Sequence, residues 1–218
     1  MIRHVFWDWN GTLLADTALS AHAIGASLAA LGFDIPVTTK RWREVASRPI
    51  EESFIALIGH DLVREQWIQA EDAFLRAYLA GVGEVGLTAG AVEALTAVRA
   101  AGLSQSLLSL HPQDALLADV ARAGVAQFFD GVTGRPPVGS HGAFPDKAVL
   151  IADEASRRGL SVAETVMIGD MVDDAASAGR AGARAVLVAT GDTSRERLVA
   201  SGFPVRDTLA EAVEWVLA

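Results

Sequence analysis

Asp8, Asp170 and Asp174 are carboxylates set where chemistry can be done. Asp8 follows the apolar run Val5-Phe6-Trp7 and opens Asp8-Trp9-Asn10-Gly11-Thr12. Such a run fills a buried parallel strand, with the carboxylate at the strand's carboxyl end. Gly11 permits a sharp turn, and Thr12 can hold it by side-chain hydrogen bonding. In open α/β sheets, reactive groups sit in the crevice beyond the carboxyl ends of the strands. A second acidic group, Gly169-Asp170-Met171-Val172-Asp173-Asp174, follows Val166-Met167-Ile168 directly. Ser109 ends another strand-like run, and Lys147 lies in the first turn of a helix, where the macrodipole disfavours it. Each also has a bland reading. An acid before Gly-Thr serves as a turn, a strand-end Ser and a Gly-Asp serve as caps, and a Lys early in a helix is a solvated charge.

The elements that must position these residues follow from periodicity. From 17 to about 80 the apolar residues recur at helical spacing. Leu19, Ala23, Ile24, Leu28 and Leu31 share one face; Phe54, Leu57 and Ile58 share another; Trp67, Ile68, Phe74, Leu75 and Tyr78 fall in a third helix. Gly32 fits a helix C-cap, and Asp61 suits the N-cap of the third helix. This predicts an all-helical module of three or four helices. Helix and strand then alternate: helices over 91–101, 112–123, 145–158, 173–181 and 209–217, strands over 104–109, 128–133, 166–168 and 185–188, and a Pro/Gly-rich loop over 135–142. Such alternation predicts a parallel sheet with helices on both faces, the helical module being inserted after the first strand.

Composition narrows the function classes. Half the 218 residues are hydrophobic, enough for a sizeable core, and the net charge is −9. That acidity argues against nucleic acid or an anionic membrane surface as the main partner, since both need basic patches. With no cysteine there is no disulfide, thiolate nucleophile or cysteine-ligated metal. No apolar run reaches spanning length and the start lacks a signal-peptide pattern, so a cytoplasmic protein is expected.

Taken together and in this order, these residues resemble the haloacid dehalogenase superfamily of phosphatases and phosphotransferases. Its first motif, Asp-x-Asp-Gly-Thr, corresponds to Asp8 through Thr12. Its strand-end Ser or Thr corresponds to Ser109, its Lys to Lys147, and its Gly-Asp-x-x-x-Asp to Gly169 through Asp174. The inserted helices resemble the C1 cap of phosphoglycolate-phosphatase-like members. The resemblance implies a Rossmann-like doubly wound parallel sheet formed by 1–15 and 85–218, with a helical cap over 16–84. It also implies a phosphatase acting on a small phosphorylated metabolite. Asp8 would attack phosphorus to form an aspartyl-phosphate. Mg²⁺ suits the all-oxygen site, with the Asp8 carboxylate, the Asn10 backbone carbonyl and Asp170 as ligands and Asp174 acting through water or orienting the site. Lys147 and Ser109 would hold the phosphoryl oxygens. In C1-capped relatives a cap loop selects the substrate, which makes Arg48 a candidate for binding a second anionic group.

One departure stands out. The family's phosphatases carry a second Asp, a general acid/base, where this chain has Asn10. An amide exchanges no proton at neutral pH, and general acid–base catalysis is typically worth about 10²–10⁴-fold. Asp16, His111 and His141 are conceivable substitutes. Since Asn and Asp are nearly isosteric, Asn10→Asp is expected to leave packing almost unchanged. The alternative to slow catalysis is a module of weak or no turnover that binds a phosphorylated metabolite. Retention of Asp170 and Asp174 argues against a dehalogenase. The lack of a lysine over 46–51 argues against a phosphonoacetaldehyde hydrolase.

Overall fold

The structure, a computed structural model, describes residues 1–135 and 146–218. Strand β1 (His4–Trp7) is followed by four helices, α1 (Thr17–Ala30), α2 (Thr39–Val45), α3 (Ile50–Ile58) and α4 (Arg64–Gly81). The chain continues through α5 (Ala91–Ala100), β2 (Ser104–Pro112), α6 (Gln113–Arg122), β3 (Gly131–Arg135), α7 (Lys147–Arg157), β4 (Thr165–Gly169) and α8 (Val172–Ala181). It ends with β5 (Arg184–Val188), α9 (Arg195–Ala200), β6 (Val205–Arg206) and α10 (Leu209–Leu217).

The described strands form one parallel sheet in the order β3-β2-β1-β4-β5-β6. This is the doubly wound order, and its switch point lies between β1 and β4. The central strands β1, β4 and β5 are mainly apolar on both faces because both faces are covered. Val5, Trp7, Val166, Ile168, Val186 and Val188 pack with α5, α6 and α10. The residues between them in sequence, Phe6, Met167 and Leu187, pack on the other face with α7, α8 and α9. The two-residue period of the strand thus divides one short sequence between two cores.

The four helices after β1 have a core of their own, built from Ile24, Leu28, Trp42, Phe54, Leu57 and Ala70. The chain segments entering and leaving this layer run side by side: Ala15 N–H donates to the Gly86 carbonyl and Thr88 N–H to the Leu13 carbonyl. A second clamp joins α2 to the loop after β5. The Arg43 guanidinium donates to the carbonyls of Gly191 (2.8 Å) and Thr190 (3.0 Å), and Arg197 donates to the Ala46 carbonyl at 2.7 Å. No helix among the described residues is long and apolar enough to cross a membrane.

Several expected elements shift. Helix α2 and the short elements α9 and β6 have too little periodicity to be read from sequence. Asp61 does not cap the helix after it. That helix starts at Arg64, the Gln66 side chain takes the Val63 N–H at 3.0 Å, and Asp61 binds the adjacent Leu62 N–H instead. Strand β3 begins at Gly131 rather than 128, because Ala126–Phe128 forms a 3₁₀ turn. His141 and most of the loop over 135–142 lie outside the described residues.

Candidate active site

The switch point between β1 and β4 sets Asp8 beside Asp170. Asp8 N–H donates to the Ile168 carbonyl at 2.9 Å, which carries the β1–β4 pairing one residue beyond the strand. Gly11 then turns the chain with φ +73°. A Cβ on it would fall 2.3 Å from Asp170 Oδ2, so both the conformation and the space demand glycine. Thr12 Oγ1 donates to Asp170 Oδ1 at 2.9 Å, and the Asp192 backbone N–H donates to Asp170 Oδ2 at 2.6 Å. Asp170 is fully buried and fixed through both oxygens.

Helices α7 and α8 supply the rest. Asp146 caps α7 through the Ala148 N–H at 2.9 Å and is gripped by Arg180 of α8 at 2.8 Å. This fixes Lys147, the first residue of α7, whose Nζ lies 2.6 Å from Asp8 Oδ1 and 2.5 Å from Asp174 Oδ1. The other Asp174 oxygen accepts the Met171 N–H at 3.1 Å. Oxygens of Asp8, Asp170 and Asp174 lie within 4.8 Å of one another, and all three residues are buried.

Burial pushes the Asp8 carboxyl up to about 7, against the pull of Lys147 and with the push of Asp174. Burial, Asp192 and Asp8 drive Asp170 well above the carboxylate range. Burial alone would lower Lys147, but Asp174 and Asp8 outweigh it and hold the ammonium charged. Three buried carboxylates face one ammonium, an excess of negative charge that a hard divalent cation offsets. The all-oxygen donor set fits Mg²⁺.

Ser109 and Asn10 complete the core side. Ser109 does not end its strand. β2 runs to Pro112 past a register shift after Leu108, and the irregularity leaves Ser109 beside Asn10. Ser109 Oγ accepts the His111 N–H at 3.1 Å and lies 3.4 Å from Asn10 Oδ1. The Asn10 amide nitrogen donates to Asp16 Oδ2 (2.7 Å) and to the Tyr78 hydroxyl (2.8 Å), while Tyr78 itself donates to Asp16 Oδ2 at 2.7 Å. Asp16 Oδ1 accepts the Gly11 N–H at 2.8 Å. Asn10 is thus held against a buried carboxylate, Asp16, a neighbour that near-isostery with Asp does not take into account.

Asp8, Asn10, Ser109, Lys147, Asp173 and Asp174 line one wall of a cavity of about 1200 Å³ between the sheet and α1–α4. Asp170 lies behind that wall. Arg48 is exposed and lines the same cavity.

A family model described as a haloacid dehalogenase-like hydrolase matches residues 2–182. The chain belongs to the haloacid dehalogenase-like hydrolase family. A haloacid dehalogenase-like family hydrolase from Streptococcus pneumoniae superposes with a TM-score of 0.80 at 21% identity, over 99% of this chain and 98% of that one. A predicted phosphatase from Clostridium acetobutylicum gives 0.83 at 20% identity, over 100% and 99%. A predicted phosphoglycolate phosphatase from Haemophilus somnus gives 0.76 at 16% identity, over 99% and 98%. No curated protein matches the chain. At these identities the solved structures establish the shared haloacid dehalogenase-like fold.

Three residues beside this site escape a reading of the sequence. Tyr78 looks like an ordinary core position of a helix; burial and Asp16 raise its hydroxyl pKa, so it stays a donor. Asp119 of α6 lies 3.3 Å from His111 Nε2 and is held by Arg122 at 2.7 Å. Asp192 is buried and lines the cavity; burial and the nearby Asp16 push it up to about 6. Its signal was present: Gly191-Asp192 follows an apolar strand as Gly169-Asp170 does.

Proposed function

We propose that the protein is a Mg²⁺-dependent phosphatase that hydrolyses phosphate monoesters of small molecules through an aspartyl-phosphate on Asp8. The observation carrying this reading is the convergence of Asp8, Asp170 and Asp174 around Lys147 at the sheet's switch point. Displacement at phosphorus needs an oxygen nucleophile and positive charge around the transferring group, and little else from the protein. Asp8 is the nucleophile. Lys147 and the Ser109 hydroxyl bind the phosphoryl oxygens. Asp174 holds Lys147 in place, and Thr12 with the Asp192 amide fixes the Asp170 carboxylate. Asp8, Asp170 and the Asn10 carbonyl would hold the cation. When bound, Mg²⁺ supplies charge neutralisation at the phosphoryl group. Attack at carbon would need no such excess of carboxylates.

Asn10 favours a second reading, a protein of low turnover that binds a phosphorylated ligand. Release of inorganic phosphate from a panel of phosphorylated metabolites, with Mg²⁺ and with EDTA, separates the two. The phosphatase reading expects turnover that EDTA abolishes and Mg²⁺ restores. Saturable binding without phosphate release on every ester would favour the second reading, and full activity in EDTA would contradict the metal-dependent mechanism.

A further inference from the structure

Building on the phosphatase reading, we infer that the substrate is an aryl phosphate monoester, with the phosphate on a phenolic oxygen and an apolar body behind it. Two independent observations lead there.

The first is the wall opposite the nucleophile. Helix α4 turns one stripe, Trp67, Phe74, Leu75, Tyr78 and Leu79, toward the cavity. Trp67, Phe74 and Leu75 remain half-buried there. Phe54 of α3 meets Trp67 edge to face, with ring centroids 4.8 Å apart, which makes an aromatic shelf. The charges along the cavity include a mutually compensating pair: Glu71 and Arg135 lie 3.9 Å apart. A cavity of about 1200 Å³ far exceeds what a two-carbon phospho-acid fills, and its surface suits an aromatic body.

The second observation is the commitment of the proton donors on the opposite wall. Both Asn10 amide hydrogens are engaged by Asp16 and Tyr78, and Tyr78 donates its own proton to Asp16. Lys147 donates to Asp8 and Asp174. His111 Nε2 faces Asp119. The donors nearest the nucleophile, Asn10, Tyr78 and Lys147, are thus already committed to carboxylates and are not free to hand a proton to a departing oxygen. A phenol releases its proton near pH 10, whereas an alkoxide resembles hydroxide, whose parent water ionises at about 15.7. A phenolate can therefore leave without an acid.

In the first step an Asp8 oxygen bonds to phosphorus. The bond from phosphorus to the phenolic oxygen breaks, its electron pair stays on that oxygen, and the phenolate takes a proton from solvent water. Water then attacks phosphorus, the bond to Asp8 breaks, the carboxylate is restored, and the water's proton passes to solvent. The sum is ester plus water giving phenol plus phosphate.

The test compares kcat and KM of the full chain with Mg²⁺ on 2-naphthyl phosphate, phenyl phosphate, octyl phosphate and phosphoglycolate. Proton donation being worth about 10²–10⁴-fold, kcat/KM, which reports the step that expels the leaving group, should be higher on the aryl esters than on octyl phosphate by at least about 10²-fold. Naphthyl should beat phenyl by about 10-fold in KM, the scale set by burying extra apolar surface. Leu75→Asn should raise KM for naphthyl phosphate by about 10-fold, and for phenyl phosphate by less. Octyl phosphate or phosphoglycolate turned over as efficiently as naphthyl phosphate would overturn the inference and leave the phosphatase reading standing. Release of phosphate from none of the four would overturn both. Unaltered KM for naphthyl phosphate in Leu75→Asn, and likewise in Trp67→Ala, would show that α4 does not hold the substrate's body.

Discussion

The two walls of the cavity are built on opposite principles. On the sheet side, buried polar groups are tied down repeatedly: Asp170 through two donors, Lys147 through two carboxylates, Asp16 through three donors. On the helical side the lining is apolar and aromatic, and Trp67, Phe74 and Leu75 are half-buried rather than packed away. The first wall has little freedom, since removing one partner of a buried polar pair leaves the other uncompensated. The second can change side chains at modest expense to the fold. On the proposed reading, reaction type resides in the sheet and selectivity in the helices.

Substitutions at the two walls should differ accordingly, and the largest effect is expected at Asp8. Asp8→Asn preserves shape and removes the nucleophile. Mg²⁺-dependent phosphate release should fall by at least about 10³-fold while circular dichroism stays native. Lys147→Met comes next. It strands two buried carboxylates, Asp8 and Asp174, without their cation, so urea unfolding of the metal-free variant should show a loss of about 3–5 kcal/mol. Added Mg²⁺ should recover more stability in this variant than in wild type. An unchanged metal-free stability would mean that the carboxylates are far less crowded than their 4.8 Å separation implies.

The same crowding fixes a pH dependence. Asp8 titrates near 3.8 when unfolded and at about 7 in the metal-free fold, so the folded state holds the extra proton. Its contribution is fully present below about pH 4 and is lost as pH rises through 7. Melting temperatures of the metal-free protein should therefore decline over that interval more steeply than those of Asp8→Asn. Saturating Mg²⁺, which favours the ionised carboxylate, should flatten the decline. Matching wild-type and variant profiles would remove Asp8 as its source.

Smaller effects test the join between the walls. Asn10→Asp places a carboxylate about 2.7 Å from Asp16 and should destabilise the fold by about 2 kcal/mol in chemical denaturation. Combining it with Asp16→Asn exchanges the partners and should bring stability back to within about 1 kcal/mol. The swapped pair should also gain turnover on alkyl phosphates, because it sets a carboxyl group where the amide stood. Equal stability of the single variant and wild type would contradict the amide–carboxylate bond. Arg43→Ala removes two hydrogen bonds holding α2 to the loop after β5 and should cost about 1–2 kcal/mol. Its signature is faster amide exchange in α2 with little change in β1 or β4.

The same contrast explains what the sequence made legible. Asp8, Lys147, Asp170 and Asp174 could be located because each stands at or within a turn of a junction between a strand or helix and a loop, and because their order, together with Ser109, matches a family pattern. The sheet was legible because strands such as Val166-Met167-Ile168, apolar on both faces, have few other uses. Tyr78 and Asp119 were hidden because their partners are 62 and 8 positions away and neither helix marks them locally. The consequence of Asn10 was hidden for the same reason: isostery is a property of the side chain, whereas the neighbouring Asp16 carboxylate is a property of the fold. The apolar wall was visible only as helical periodicity, which does not separate residues packed in a core from residues facing a cavity.

The central claim is that Asp8 carries the phosphoryl group, and rapid mixing with 2-naphthyl phosphate and Mg²⁺ tests it most directly. With no acid/base at Asn10, breakdown of the intermediate is the slow step. Naphthol should appear in a burst of one equivalent per enzyme, and acid-quenched protein should carry a hydroxylamine-labile phosphoryl group on the peptide containing Asp8. A linear release of naphthol with no burst, together with undiminished turnover in Asp8→Asn, would contradict the account.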